Sequence, residues 1–162
     1  MSSFTELDWI KEARKHVGLK ELNGTNKHPT IDSWAKDLGV SWVIGQAWCG
    51  TFVAHCLKTA GIKCPKNWFR ALAYSTEGGV KLSKPAYGCV AVKTRKGGGH
   101  VCFVVGKDKT TGKLVCLGGN QSDMVCYALY KESDFESFMW SGQTHSPAQS
   151  RYNLPFLLGV PK

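Results

Sequence analysis

The sequence predicts an α+β domain in which N-terminal helices pack on an antiparallel β-sheet. Apolar residues recur at helical spacing in three segments that all lie before residue 62. From residue 88 onward they gather instead in short β-rich runs separated by turns. Those runs follow one another through turn-length connections, which makes the sheet a meander.

The first helix is expected over 4–18: Leu7, Ile10, Ala13, Arg14 and Val17 keep the helical period, and Gly18 ends it. A polar, turn-rich loop over 21–29 leads to a short helix over 30–38. Thr30 or Asp32 caps it, Ile31, Trp34, Ala35 and Leu38 face inward, and Gly39 stops it. Trp42 and Trp48 either wall the entrance to the next helix or fill the core, and core filling is the simpler reading for Trp42. In the third helix Phe52, Val53, Cys56, Leu57 and Ala60 form the buried face, and Gly61 closes it. The stretch from 62 to 88 is irregular, with one short helix around 67–74. Its Trp68, Phe69 and Tyr74, set among basic residues, suit stacking on a sugar or base, or act as half-buried surface anchors. Strands are expected at 89–93, 100–106, 113–117 and 124–130, with KGGG breaking the first pair and KDKTTGK forming a hairpin between the second and third. The tail from 132 is polar and loop-like, and 152–160 returns as a final edge strand. No repeat, low-complexity tract or linker divides residues 1–162, so a single domain is expected.

Composition narrows the class. At 43% hydrophobic and 20% charged the chain is an ordinary globular protein, and no apolar run reaches bilayer-spanning length. The N-terminal MSSFTELDWIKEARKH mixes charges where a secretory signal would be basic and then apolar. Seven cysteines, at 49, 56, 64, 89, 102, 116 and 126, include no C-x-x-C pair, so zinc-ribbon and thioredoxin motifs are absent. Reduced, buried thiols in a chain folded in the cytosol are expected; a disulfide framework would leave one cysteine over. The net charge of +9 resides in residues 61–115, which hold eleven Lys and Arg against Glu77 and Asp108. Such a one-sided field favours a polyanion: nucleic acid, an anionic wall polymer or a membrane surface.

Cys49 falls in the first turn of the third helix, where unpaired N–H groups and the helix dipole favour an anion. A thiol there ionises more readily than the free value of about 8.5, which suits a nucleophile; the alternative is a buried small hydrophobe. Cysteine catalysis needs a base within hydrogen-bond reach. His100 opens a strand after Gly97, Gly98 and Gly99, and the glycines let its backbone approach a neighbouring helix end. A base also needs an orienting partner. Asn120, at the end of the strand after that of His100, offers an amide oxygen, or serves only as a left-handed turn residue after Gly118-Gly119.

WCGTFVAHCLKTAGI, GGGHVCFVVG and LVCLGGNQSD, in that order, resemble the NlpC/P60–CHAP superfamily of papain-like cell-wall hydrolases. More narrowly, it resembles the compact peptidoglycan hydrolases of phage lysins, phage-tail regions and type VI secretion amidase effectors. The resemblance spans roughly residues 5–130. It implies a papain-like fold, with Cys49 as nucleophile, His100 as general base and acid, and Asn120 as third member. Where relatives often carry an acidic residue before the Trp-Cys pair, this chain has Gln46, which papain-like enzymes suggest as an oxyanion donor; where some CHAP members place a glutamate, it has Gly118. Trp48, Trp68 and Gly99 are the candidate substrate-contacting positions.

The resulting expectation is a cysteine amidase or endopeptidase of peptidoglycan with no metal or cofactor. It would be made in the cytoplasm without a signal peptide and reach the periplasm or wall by lysis, injection or holin-type release. An immunity protein and a secretion or phage-tail component are the protein partners the resemblance suggests. The competing reading is a basic nucleic-acid-binding module, against which no helix-turn-helix, RNP, zinc-finger or phosphate-loop signature appears. A zinc hydrolase using Cys and His has poor ligand spacing.

Overall fold

In a computed structural model, which describes residues 5–95 and 98–161, the chain is α+β, with three helices and a seven-stranded sheet. The expected start of the first helix at residue 4 and the loop glycine Gly97 lie outside the described residues. No helix among the described residues is long and apolar enough to cross a membrane.

Helix α1 (Asp8–Lys15) is shorter than its periodicity suggests. After it the chain leaves the helical path at Gly18, whose N–H donates to the Val125 carbonyl at 2.8 Å. Its buried residues are Trp9, Ile10 and Ala13. Helix α2 (Pro29–Asp37) is capped not by Thr30 or Asp32 but by His28, whose Nδ1 accepts from the Thr30 N–H at 3.1 Å. Proline is the cause: it occupies the first helical position and holds the preceding residue extended, which makes His28 the cap. Helix α3 (Cys49–Thr59) is the hub, with eight of its residues buried between α1, α2 and the sheet. It ends as Gly61 predicts, in a Schellman motif: Ile62 N–H donates to Leu57 O, and Gly61 N–H to Lys58 O, both at 2.9 Å.

The strands run β1 (Val80–Leu82), β2 (Val90–Arg95), β3 (Gly98–Asp108), β4 (Leu114–Gln121), β5 (Met124–Tyr130), β6 (Ser137–Trp140) and β7 (Phe156–Leu157). Neighbours in the sheet follow the order β1-β6-β2-β3-β4-β5, all antiparallel. The expected meander is therefore β2 to β5. Three parts of the sheet differ from the expectation. The supposedly irregular 62–88 stretch supplies β1, and its short helix is a 3-10 turn at Ala71–Ser75. The supposedly loop-like tail supplies β6, which inserts between β1 and β2 with all four residues buried. Four residues are too few to show a period, and β6 is held by tertiary contacts, including Trp140 edge-on to Trp9 at 5.3 Å. The final edge strand shrinks to β7, two residues paired parallel to the end of β3. Trp42 is not core: it is 66% exposed and meets Phe69 edge-on at 4.9 Å.

Candidate active site

Cys49 is the first residue of α3, and three close packings set its position. The Trp48 ring is fully buried and its Nε1 donates to Glu21 Oε1 at 2.9 Å, while Asn26 N–H donates to Glu21 Oε2 at 2.6 Å. Gly119 on β4 makes room for that ring, since a Cβ there would lie 2.7 Å from it. At Gly50 a Cβ would collide with the Trp68 carbonyl oxygen, and Tyr74 Oη donates to the Gly50 carbonyl at 2.9 Å. The helix start is thereby clamped between the 68–74 loop and β4.

His100 lies opposite Lys93 in the β2–β3 ladder, is 1% exposed, and reaches the Cys49 thiol with its side chain. Its Nε2 is 3.0 Å from Oε1 of Gln121. The amide nitrogen of Gln121 donates to the Cys126 carbonyl at 2.6 Å and to the Cys116 carbonyl at 3.4 Å. Carbonyls can only accept, so the amide cannot be turned around, and its oxygen must receive a hydrogen from His100. The imidazole is thereby held with Nε2 protonated, which leaves Nδ1 as the nitrogen able to exchange a proton with the thiol.

The orienting amide is thus Gln121, one residue beyond Asn120. The β4–β5 register breaks between Gly118 and Gln121, and Asn120 takes the left-handed conformation at φ +57°. Simple alternation would put residue 120 on the face of Gly118; the bulge gives that face to Gln121 instead. Asn120, in the turn conformation that the Gly-Gly-Asn sequence allows, lines the cavity in front of Cys49. Gly118 completes the arrangement, because a Cβ there would sit 2.7 Å from Gln121 Oε1 and 2.8 Å from Cys102 Cβ. We predict that Gly118→Ala displaces the Gln121 amide and costs about 1–3 kcal/mol of stability, measurable by denaturant melts.

Burial raises the Cys49 pKa, but the bond and charge of His100, the Val101 N–H and the charge of Arg95 outweigh it, so the thiol lies below its ordinary value. Burial would lower His100, yet contacts with the Cys102 and Cys49 thiols raise it to about 10. Cys102 is fully buried and does not line the cavity, so Cys49 is the thiol of the two that faces open space. A lowered thiol beside a raised imidazole favours transfer of the Cys49 proton to His100. The thiolate is lost as pH falls through the lowered Cys49 value, and the pair is lost as pH rises through about 10. Burial pushes Cys64 the other way, to about 11, and Cys126 also upward. Limited iodoacetamide treatment at neutral pH should therefore label Cys49 before the more exposed Cys64 and Cys126, as read by peptide mass mapping.

The two groups open on a cavity of about 750 Å³ walled by Cys49, His100, Asn120, Gly99 and the 67–77 stretch. Its lining includes apolar Phe69 and Leu72 and the charged side chains of Arg70, Arg95, Glu77 and Glu136. Gly99 therefore stands where a substrate contact was expected. Trp48 and Trp68 do not: both are buried, Trp48 under Glu21 and Trp68 edge-on to Phe69 at 5.5 Å. Gln46 is exposed and lines a separate narrow cleft with Asn26 and Asp32, not the Cys49 cavity; Ala47 occupies the wall instead.

Comparison of the chain with protein-family models, with curated proteins and with solved structures finds no match. The chemistry of the site rests on its own geometry. Gln121 was not among the residues singled out from the sequence. The signal for it was the Gly-Gly-Asn run, which favours a bulge and so a change of face at the next residue.

Proposed function

We propose that the chain is a cysteine hydrolase of papain-like type that cleaves an amide bond in the peptide part of bacterial peptidoglycan. The observation that carries the hydrolytic reading is the line Gln121–His100–Cys49 ending at the wall of an open cavity. The wall substrate is supported by the three sequence motifs and by the cationic middle of the chain, which suits an anionic polymer.

In the proposed reaction the Cys49 proton resides on His100 Nδ1, and the thiolate attacks the amide carbonyl. The new C–S bond pushes the carbonyl electrons onto oxygen, and the N–H groups at the start of α3, which no side chain caps, would stabilise that charge. Collapse breaks the C–N bond, and His100 delivers its proton to the leaving amine. His100 then takes a proton from water, the resulting hydroxide attacks the thioester, and a carboxylic acid leaves as the thiol is restored. The carboxamide of Gln121 holds the ring through both proton transfers, a role a neutral amide fills without adding charge. Asn120, on the cavity wall, faces the substrate.

The test is digestion of purified sacculi followed by mass spectrometry of the soluble products. Peptides freed of sugar identify an amidase; disaccharide peptides with cut stems identify an endopeptidase. An absence of any soluble product from wild-type protein, with Cys49 shown to be reduced, overturns the wall-hydrolase reading. In its biological setting the enzyme would reach the wall by lysis, injection or holin-type release, and an immunity protein or a secretion or phage-tail component would be its protein partner.

A further inference from the structure

Away from the cavity, α1 and α3 meet through a second cluster that the hydrolytic mechanism does not use. Glu12 on α1 and His16, the residue that caps the C-terminus of α1, stand four residues apart, and His55 reaches them from α3. Both imidazole Nε2 atoms lie 2.8 Å from the same oxygen, Oε2 of Glu12. The potential ligand atoms of the three residues all fall within 4.8 Å of one another. Trp34 of α2 holds the rings: it lies flat on His55, 4.6 Å away at 15°, and edge-on to His16 at 4.9 Å. The two imidazoles keep about a fifth of their side-chain surface open to solvent, 22% and 19%.

We propose that Glu12, His16 and His55 form a binding site for one first-row divalent transition-metal ion of the zinc class, joining α1 to α3. Two imidazoles and a carboxylate match zinc, nickel and cobalt better than magnesium or calcium, which take oxygen donors. A pair four residues apart on a helix presents two ligands to one point, and a third from a neighbouring element makes a three-ligand site, with water completing the shell. Ligands about 2.0–2.2 Å from zinc stand roughly 3.3 Å apart, so the three atoms need shift by less than the width of an atom. On binding, each neutral ring moves its Nε2 hydrogen to Nδ1, and any imidazolium releases its proton. The cluster is not among the groups that line the Cys49 cavity, so the ion would brace the helix that begins with Cys49 and take no part in bond cleavage.

The test uses full-length protein, stripped with a chelator, dialysed, and titrated with Co²⁺, Ni²⁺ and Zn²⁺. One equivalent of ion should bind, Ni²⁺ should quench tryptophan emission through Trp34, and the melting temperature should rise with Zn²⁺ concentration. The Co²⁺ spectrum should lack thiolate charge-transfer bands, which excludes the cysteines as ligands. His16→Gln together with His55→Gln should weaken binding at least about tenfold. A Cys49-alkylated sample should bind as the untreated protein does. Absence of saturable binding, thiolate bands, or undiminished affinity in the double variant would overturn the site. If that variant unfolds, the wild-type cobalt spectrum and stoichiometry decide alone. None of these readings depends on hydrolysis, so the outcome stands apart from the proposed peptidoglycan activity.

Discussion

Cys49→Ala is expected to reduce release of soluble muropeptides from sacculi by at least about 10⁴-fold. In enzymes whose nucleophile and base act as a unit, loss of either alone removes nearly all of the rate that the pair supplies. The same substitution should leave the fold intact. Cys49 is nearly buried at the first turn of α3, and the helix start is held by Trp48, Gly50 and Tyr74, none of which uses the sulfur. A thermal melt within a few degrees of wild type, with activity gone, is therefore the predicted pair of results. His100→Ala should be as inactive and less stable, because it opens a buried cavity and strips Gln121 Oε1 of its donor. Digestion by Cys49→Ala at the wild-type rate would end the nucleophile assignment whatever the substrate proves to be.

Gln121→Ala is expected to lower kcat by roughly 10²-fold or more with a small effect on KM, while Asn120→Gly changes kcat by less than about tenfold. The difference follows from geometry. Gln121 fixes the hydrogen on His100 Nε2, and in a Ser-His-Asp triad loss of the correct tautomer alone costs about 10⁴-fold. Asn120 faces the cavity with a left-handed backbone that glycine adopts freely, so its replacement leaves the imidazole where it is. Gln121→Glu should not rescue. A carboxylate there would point one oxygen at His100 and the other at the Cys126 and Cys116 carbonyls, acceptor against acceptor, at a cost of about 1–3 kcal/mol. Nitrogen chemical shifts of His100 report the tautomer directly, and should change in Gln121→Ala but not in Asn120→Gly. The reverse pattern would return the orienting role to Asn120.

The difference between Asn120 and Gln121 shows how far a strand can be followed from its residues. Alternation along β4 can be counted in the sequence up to Gly118. Beyond it, one left-handed residue adds a place to the strand and turns the next side chain to the opposite face. Trp42 and Trp48 show the same limit: two tryptophans six residues apart in one loop, one 66% exposed and the other packed on Gly119 and bonded to buried Glu21. Nothing between them in the chain tells which will find a partner. β6 was invisible because its four residues carry no period and its neighbours in the sheet are more than forty residues away in sequence.

By itself the sequence determined the features whose causes lie within a few residues of one another. These are the helix that starts at Cys49 and closes at Gly61, the β2–β5 meander, the absence of a membrane-length helix among the described residues, and a thiol and an imidazole on adjacent elements. Periodicity, turn chemistry and the polarity of a helix end are local, so they can be read in order along the chain. Only the tertiary structure decided which amide holds His100, which tryptophan is buried, where Gln46 points, and that Glu12, His16 and His55 share one carboxylate oxygen. Those outcomes depend on cross-strand register and on which surfaces meet, and contacts between residues distant in sequence leave no mark on the residues beside them.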